Sequence, residues 1–482
     1  MQTDLSDASI PLIVDLDGTL IKTDLLYESA NQYLKRNPLG IFKMLLAFSR
    51  GKSKLKDYLA AETALHIESL PFNEEILDWL REEASKGRKI YLATASNEKY
   101  AQKIGSFLGI FMGIFASTAD INLKGSAKRE LLEQEFGRGG FDYLGDNRAD
   151  FEVWNSARKA YVISRFQSFS ESVKRLPNFG GSFSVNGRAP VQAFIKALRP
   201  HQWVKNVLIF VPLIAAHLYG DSLALIDASW AFFIFCLAAS SVYLLNDLLD
   251  IEEDRQHEYK KSRPLASGDL NIVWAWILWP LLLLLSVMLS WQLLPNLFTL
   301  SLLSYLAITI CYSFFLKQSA VIDVMLLAML YTIRIIGGAF AISVPISFWL
   351  ITFSLFIFVS LAFIKRFSEL KAARSYGGIS LRGRGYSLDD LEAISSMGVS
   401  SGYLAVLVLA LYIQDAHTAS LYNSPEVIWV ACPLMLFWIS RMWLITHRGQ
   451  MHIDPIVFAI RDRVSAITAL LFVVIFMAAK VL

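Results

Sequence analysis

Two regimes of hydrophobic patterning divide the chain. Up to about residue 190, apolar residues come in short runs broken by polar segments; from about 203 onward they come in long, nearly unbroken stretches. A hydrocarbon core about 30 Å thick needs ~20 mostly apolar residues in a helix. The pattern predicts nine spans, at about 203–219, 228–246, 272–290, 294–315, 321–342, 347–364, 400–414, 426–444 and 464–481. The fifth carries Asp323 and Arg334 inside it. In the first half, the run Pro11–Val14 reads as a buried parallel strand, with further strands at Lys89–Ala93, near 114–118 and at Phe141–Gly145. Residues 24–85 read as helical and cap that sheet. The expected architecture is an α/β, Rossmann-like domain over 1–175 with a helical cap at about 24–85. A Gly-, Pro-, Ser- and Asn-rich linker at 176–190 follows, and then an all-α integral membrane bundle of nine transmembrane helices over 191–482. Val191, Phe194, Ile195 and Leu198 at i, i+3, i+4, i+7 predict a short amphipathic helix lying on the inner leaflet.

Composition agrees: 55% hydrophobic residues and a mean hydropathy of +0.44 exceed what an ordinary soluble protein carries. The net charge of +3 says little as a total, and no nucleic-acid partner is expected; its placement says more. The loops at 217–228, 291–296, 343–346 and 415–425 contain no Lys or Arg, whereas the alternate loops carry fourteen, from Arg255, Lys260, Lys261 and Arg263 through Lys365–Arg384 to Arg463. The positive-inside rule then puts the N-terminal domain and the basic loops in the cytoplasm, and nine spans put the C-terminus outside an inner (plasma) membrane. MQTDLSDASI lacks a basic n-region and an apolar h-region, so no signal peptide is expected. Cys236, Cys311 and Cys432 lie in apolar runs without paired spacing and read as buried thiols. Leu39–Phe48 is almost wholly apolar and is followed by Arg50, Lys52, Lys54 and Lys56; it is either core of the cap or a surface that docks on the anionic leaflet.

Polar groups gather where the predicted strands end. Asp15-Leu16-Asp17-Gly18-Thr19 follows the first strand, Thr94-Ala95-Ser96 the second, and Gly145-Asp146-Asn147-Arg148-Ala149-Asp150 the fourth, with Lys128 opening a helix after the third. Groups in these positions converge at the carboxyl edge of a parallel sheet. In the membrane half, Asn246-Asp247-Leu248-Leu249-Asp250 and Asp254 sit at the inner end of the second span, with 246, 247, 250 and 254 on one helical face. Aligned acids near a bilayer repel one another unless a cation neutralises them, and Mg²⁺ takes oxygen ligands that it shares with substrate phosphates. An Mg²⁺–diphosphate site is the reading that explains them. Lys205, Lys317, Arg334, Lys365 and Arg366 fall at inner ends of spans or within one, where a cation needs an anionic partner.

The N-D-x-x-D-x-x-x-D pattern in a multi-span chain resembles the UbiA prenyltransferase superfamily over essentially all of 190–482. Lys365-Arg366-Phe367-Ser368-Glu369 replaces that family's second acidic motif. This segment, with Arg199–Asn206, Arg384-Gly385-Tyr386 and Asp454-Pro455…Arg461-Asp462-Arg463, resembles the branch that transfers phosphoribosyl from phosphoribosyl pyrophosphate to a polyprenyl phosphate. That resemblance implies Asp247 and Asp250 as catalytic, with Asp254 beside them on Mg²⁺, and Lys205, Asn246, Lys317, Arg334, Lys365, Arg366 and Glu369 as substrate-binding. The N-terminal set resembles the four motifs of HAD phosphatases. It implies Asp15 as nucleophile, Asp17 as general acid/base, Thr94 (or Ser96) on the phosphoryl oxygens, Lys128 (with Lys124 as competitor) neutralising charge, and Mg²⁺ held by Asp15, Asp17, Asp146 and Asp150. The expected outcome is a bifunctional enzyme acting on a polyprenyl phosphate lipid and phosphoribosyl pyrophosphate in the bilayer, its HAD domain removing the 5-phosphate of the product. Two alternatives stay open: a transferase using a prenyl diphosphate and an aromatic or small acceptor, with an unrelated HAD activity, and a non-catalytic HAD domain that regulates or stabilises the membrane half.

Overall fold

The computed structural model describes residues 9–184, 187–314, 316–375, 385–415, 422–451 and 454–482. Arg382 and Arg384 lie outside the described residues. Two compact units divide it: 9–198 with 243–279, and 199–242 with 280–482.

The first unit is built on six strands, β1 Leu12–Val14, β2 Ile90–Asn97, β3 Gly113–Ser117, β4 Asp142–Gly145, β5 Ala160–Ser164 and β6 Phe179–Ser184. They form one sheet in the order β3-β2-β1-β4-β5-β6, every pair parallel. Parallel pairing buries both faces, and Leu12, Ile13 and Val14 of β1 are fully buried. β6 falls within the stretch expected to be linker; it pairs with β5 through Phe179 and Gly181–Ser184, the register shifting at Gly180. Helices α1 Leu25–Arg36, α2 Ile41–Ser49, α3 Lys52–Glu62 and α4 Glu74–Ser85 lie between β1 and β2. Asp24 caps α1 by accepting from the Leu26 amide, and the helix buries Leu25, Leu26 and Tyr33. Helices α5 Glu98–Leu108, α6 Ser126–Phe136, α7 Phe151–Trp154, α8 Gln167–Lys174 and α9 Pro190–Ala197 complete the N-terminal part.

Eleven further helices follow among the described residues: α10 Val211–Ala215, α11 Ser222–Leu249, α12 Ile251–Gln256, α13 Ile272–Leu293, α14 Asn296–Phe314, α15 Ile322–Ala341, α16 Phe348–Ser375, α17 Leu391–Gln414, α18 Ala431–His447, α19 Pro455–Arg461 and α20 Arg463–Val481. Among the described residues eight helices are long and apolar enough to cross a membrane: α11, α13 through α18, and α20. The first of the nine expected spans takes another form. Pro200–Phe210 is a 3₁₀ helix that passes into the five-residue α10. Three residues per turn align Trp203, Asn206 and Ile209 along one side, and Asn206 and Ile209 are fully buried. Ile209 lies so close to α15 that a Cβ at Gly338 would stand 2.1 Å from its carbonyl oxygen, so only glycine fits there. The second unit's core packs Phe235, Phe298, Leu302 and Tyr305 in one cluster and Phe358, Phe363, Met442 and Trp443 in another.

Candidate functional site

The strand order reverses direction at β1, and the carboxyl ends of β1, β2 and β4 bring the N-terminal polar groups together. Asp15 directly follows β1; one of its oxygens, Oδ1, accepts from the Leu16 amide and from Lys128 Nζ, both at 2.9 Å. Lys128, buried in the first turn of α6, also donates to Tyr143 Oη at 2.9 Å and lies 3.8 Å from Asp150. Lys124 is exposed on the loop before α6. Tyr143 in turn donates to Asp150 Oδ1 at 2.8 Å, and the other Asp150 oxygen caps the turn by accepting from the Asp146 and Asn147 amides. Asp15, Asp146 and Asp150 present carboxylate oxygens within 4.8 Å of one another. Gly18, at φ +80°, closes over this cluster: a Cβ there would lie 2.1 Å from Asp146 Oδ2.

Asp17 is held apart from that cluster. The Leu25 amide at the start of α1 donates to its Oδ1 at 2.8 Å, and Ser96 Oγ donates to Oδ2 at 2.5 Å, with Thr94 Oγ1 at 3.4 Å. Thr94 and Ser96, expected as alternatives, both reach Asp17. Burial pushes the Asp15 carboxyl up to about 6 despite Lys128, and burial together with the Asp24 charge pushes Asp17 up to about 7. Burial and the neighbouring Asp150 and Asp15 raise Asp146 well above the carboxylate range. Desolvation alone would depress Lys128, but Asp15 and Asp150 raise it. An all-carboxylate group that resists ionising until a cation arrives suits a hard divalent ion such as Mg²⁺. Lys56 of α3 also enters this region, donating to the Ala95 carbonyl and lying 3.4 Å from Asn122 Oδ1. The sequence marked Lys56 only as part of the basic run after Phe48, and did not mark Tyr143.

The second acidic motif lies in the same compact unit. α11 ends at Leu249 and resumes at Ile251 as α12, so Asp250 stands at the junction rather than within one continuous helix. The Asp250 amide still bonds to Asn246 O and the Asp254 amide to Asp250 O. Asp247 and Asp254 are buried, and Arg263 donates from one nitrogen to both, at 3.2 Å and 2.5 Å. Arg263 entered the sequence reading only as a loop charge. One guanidinium thus bridges two buried acids of the motif. The cap reaches this motif through α1. Asn31 donates to Leu248 O at 2.7 Å and accepts from Trp276 Nε1 at 3.1 Å. Arg255 grips Glu28 with two nitrogens, at 2.6 Å and 3.2 Å, and Lys35 meets Glu253 at 2.6 Å.

Of the expected cations of the second unit, Lys205, Lys365, Arg334 and Arg366 have defined partners. Lys205 and Lys365 flank Asp454 at 2.8 Å and 3.4 Å, and Lys205 also faces the Tyr331 ring. Burial would raise the Asp454 carboxyl, but the two lysines hold it well below the usual carboxylate range. Arg334 donates to Asn206 Oδ1 at 2.8 Å, to Tyr305 Oη at 3.2 Å and to the Leu330 carbonyl. Arg366 is fully buried between Asp323, Glu369 and Tyr312, at 2.5, 2.5 and 3.0 Å. Asp323, a misfit within its predicted span, is thus the counter-ion of Arg366 and also accepts from Tyr386 Oη at 2.6 Å. Lys317 lies on a 3₁₀ turn after α14, half-buried.

Residues 207–458 match the UbiA prenyltransferase family, over half of the chain. The chain belongs to the UbiA prenyltransferase family. Over 96% of its length it is 34% identical to the uncharacterized protein y4nM of Sinorhizobium fredii, covering 90% of that protein. Over 59% of its length it is 32% identical to a decaprenyl-phosphate phosphoribosyltransferase of Mycolicibacterium smegmatis, covering 92% of that protein. A solved HAD-family hydrolase of Salmonella enterica is similar over 37% of this chain and 69% of its own, at 13% identity and a TM-score of 0.28. This UbiA-family chain is therefore a membrane protein whose α/β N-terminal part, β6 included, precedes the matched region.

Proposed function

We propose that the membrane half transfers phosphoribosyl from phosphoribosyl pyrophosphate to a polyprenyl phosphate, and that the N-terminal domain, 1–175, removes the 5-phosphate from the product. The observation that carries this reading is the union in one chain of two things. One is a carboxylate–lysine constellation suited to phosphomonoesters; the other is a membrane half similar to a decaprenyl-phosphate phosphoribosyltransferase. In the transfer, the bond from ribose C1 to the diphosphate breaks as a bond from C1 to the lipid phosphate oxygen forms. A phosphate monoester is already an anion, so no general base is required. Asp247, Asp250 and Asp254 would hold Mg²⁺, which supplies charge neutralisation for the departing diphosphate. Lys205, Lys317, Arg334, Lys365, Arg366 and Glu369, with Asn246, form the proposed substrate-binding set. Lys205 and Lys365 have Asp454 to release when a phosphate arrives, and the hydrogen bonds described for Arg334 go to neutral acceptors.

In the hydrolysis, Asp15 attacks phosphorus, the bond to O5 of ribose breaks, and Asp17 gives its proton to that oxygen. Water then cleaves the aspartyl-phosphate, with Asp17 as base, releasing inorganic phosphate. Ser96 and Leu25 N orient Asp17, and Lys128 holds Asp15 and offsets phosphoryl charge. Asp15, Asp146 and Asp150 would hold Mg²⁺, with Asp17 closing the site. The basic loops and the N-terminal domain then face the cytoplasm. Eleven 3₁₀ residues at about 2.0 Å and five α residues at about 1.5 Å reach roughly 30 Å, so the segment 200–215 is long enough to serve as the ninth crossing.

The test is the purified chain in lipid vesicles with labelled phosphoribosyl pyrophosphate and polyprenyl phosphate, products resolved by mass. Wild type yields polyprenyl-phosphoryl ribose, and Asp15→Asn yields the species heavier by one phosphoryl unit. Product from a prenyl diphosphate and an aromatic acid alone would overturn the transferase assignment. An unchanged product mass in Asp15→Asn would overturn the phosphatase assignment.

A further inference from the structure

The cap carries a helix that the fold of this unit leaves almost uncovered. α2 has no buried residue; Met44 and Ala47, three positions apart, pack against the cap's small core around Tyr33, Leu55 and Leu59. The remaining faces are apolar and open: Leu39 is 78% exposed and Phe42 70%, with Leu45, Leu46 and Phe48 each more than half exposed. In an aqueous domain this run would be an aggregation hazard. Its flanks are basic. From Arg36 to Lys56 the chain has six Lys and Arg and no Asp or Glu. Arg36, Lys43, Arg50 and Lys52 are exposed.

Where this helix lies relative to the bilayer follows from α1, which leads into it. Asn31 bonds the carbonyl of Leu248, in the last turn of α11, and the indole of Trp276, near the start of α13; both helices are long and apolar enough to span. Lys35, at the end of α1, reaches Glu253 of α12. The last turns of α1 are therefore pinned to the ends of two candidate spans, and α2 begins within a few residues of that point. Nine residues rise only about 14 Å, too little to cross a bilayer but enough to lie in its interface.

We propose that α2, with Leu39 ahead of it, is a monotopic anchor that embeds its apolar faces in the anionic leaflet adjoining the N-terminal domain, its flanking cations meeting lipid phosphates. Apolar insertion and electrostatic attraction act together in such elements. α3, joined to α2 at Gly51, sends Lys56 to the Ala95 carbonyl beside Ser96, the partner of Asp17. One helical hairpin thus joins the lipid surface to the phosphoryl site. Resting on the phosphatase reading, this makes the site an interfacial one, which takes a phosphomonoester from a lipid still seated in the leaflet.

The test uses the full chain in vesicles containing anionic lipid, with Cys311 replaced by Ser and the buried Cys236 and Cys432 kept. A nitroxide is placed at Phe42→Cys, Leu46→Cys or the exposed control Glu135→Cys, and power saturation compares oxygen with a water-soluble nickel chelate. Positions 42 and 46 should favour oxygen, and 135 the chelate. Chelate access at 42 and 46 equal to that at 135 would overturn the proposal, and so would dipolar broadening showing a second copy packed there. This readout needs no activity, so it stands or falls apart from the phosphatase assignment. For that consequence, Phe42→Glu/Leu46→Glu should cut hydrolysis of the lipid phosphomonoester at least tenfold and leave that of soluble p-nitrophenyl phosphate unchanged. Equal losses on both substrates would overturn the interfacial role.

Discussion

Among single residues, the acids of the N-terminal site set a pH dependence. Burial raises Asp15 to about 6 and Asp17 to about 7 from an ordinary 3.8, so between those values the folded chain keeps protons that the unfolded chain has lost. Unfolding free energy then falls as pH rises through this window. In chelator, hydrogen-exchange protection of the β1 amides should drop between about pH 4 and 7; Mg²⁺ at neutral pH should restore it, because the ion binds the ionised acids of the folded state. Protection flat with pH, or untouched by Mg²⁺, would count against a metal site there. A second expectation concerns Asp454, buried beside Lys205 and Lys365. Asp454→Asn leaves two cations without their counter-charge, a change that costs about 3–5 kcal/mol for buried pairs. Pyrophosphate should raise the melting temperature of this variant more than that of wild type; equal shifts would mean that the lysines do not receive anions. Much of this convergence was legible, because Asp15, Thr94, Asp146 and Asp150 each follow an apolar run ending in a polar cluster. Tyr143 was not: its hydroxyl matters because the parallel register aims it at Lys128, and within the sequence it reads as one more buried strand residue.

The helices and strands show the same division between local and distant causes. Lengths and hydropathy located the eight candidate spans found among the described residues, since the bilayer's thickness is a one-dimensional constraint. The 3₁₀ form of 200–210 was illegible because it answers to groups far along the chain: Asn206 serves Cys236 and Arg334, Trp203 serves Ser240, and Gly338 admits Ile209. β6 was likewise hidden, because Phe-Gly-Gly-Ser-Phe-Ser has a linker's composition and becomes a strand only through its pairing with β5. Helix α1 is where the elements bear on function. Its first amide holds Asp17, and its middle holds the end of α11 through Asn31, so the two candidate sites share one rigid rod. Asn31→Ala strands the Leu248 carbonyl and the Trp276 indole, and each buried unpaired group costs about 1–3 kcal/mol. Exchange protection at 243–256 should fall by a comparable free energy, with β4 and β5 unaffected. Loss spread evenly over the whole unit would mean that α1 is ordinary core rather than a local tie.

For the whole molecule, the question is why the proposed phosphatase should be tied to the proposed membrane transferase at all. A polyprenyl product cannot leave the bilayer, so it diffuses in two dimensions, and a phosphatase fixed in the same chain meets it at high effective concentration. This predicts how two half-inactive chains behave. Asp15→Asn retains Asp247 and Asp250, and Asp250→Asn retains Asp15, Asp17 and Lys128. Reconstituted in the same vesicles, the pair should form polyprenyl-phosphoryl ribose after a lag in which the phosphorylated lipid accumulates, because the intermediate must travel between chains. Wild type should show almost no such accumulation, its own phosphatase site lying in the chain that makes the lipid. In separate vesicles the pair should stop at the phosphorylated lipid, which does not cross water. Time courses by mass spectrometry of extracted lipid distinguish these cases. Dephosphorylation across separate vesicles would point to a water-soluble substrate for the N-terminal domain. Identical time courses for wild type and the mixed pair would show that fusion confers no advantage on the second step, leaving co-residence in the membrane as sufficient.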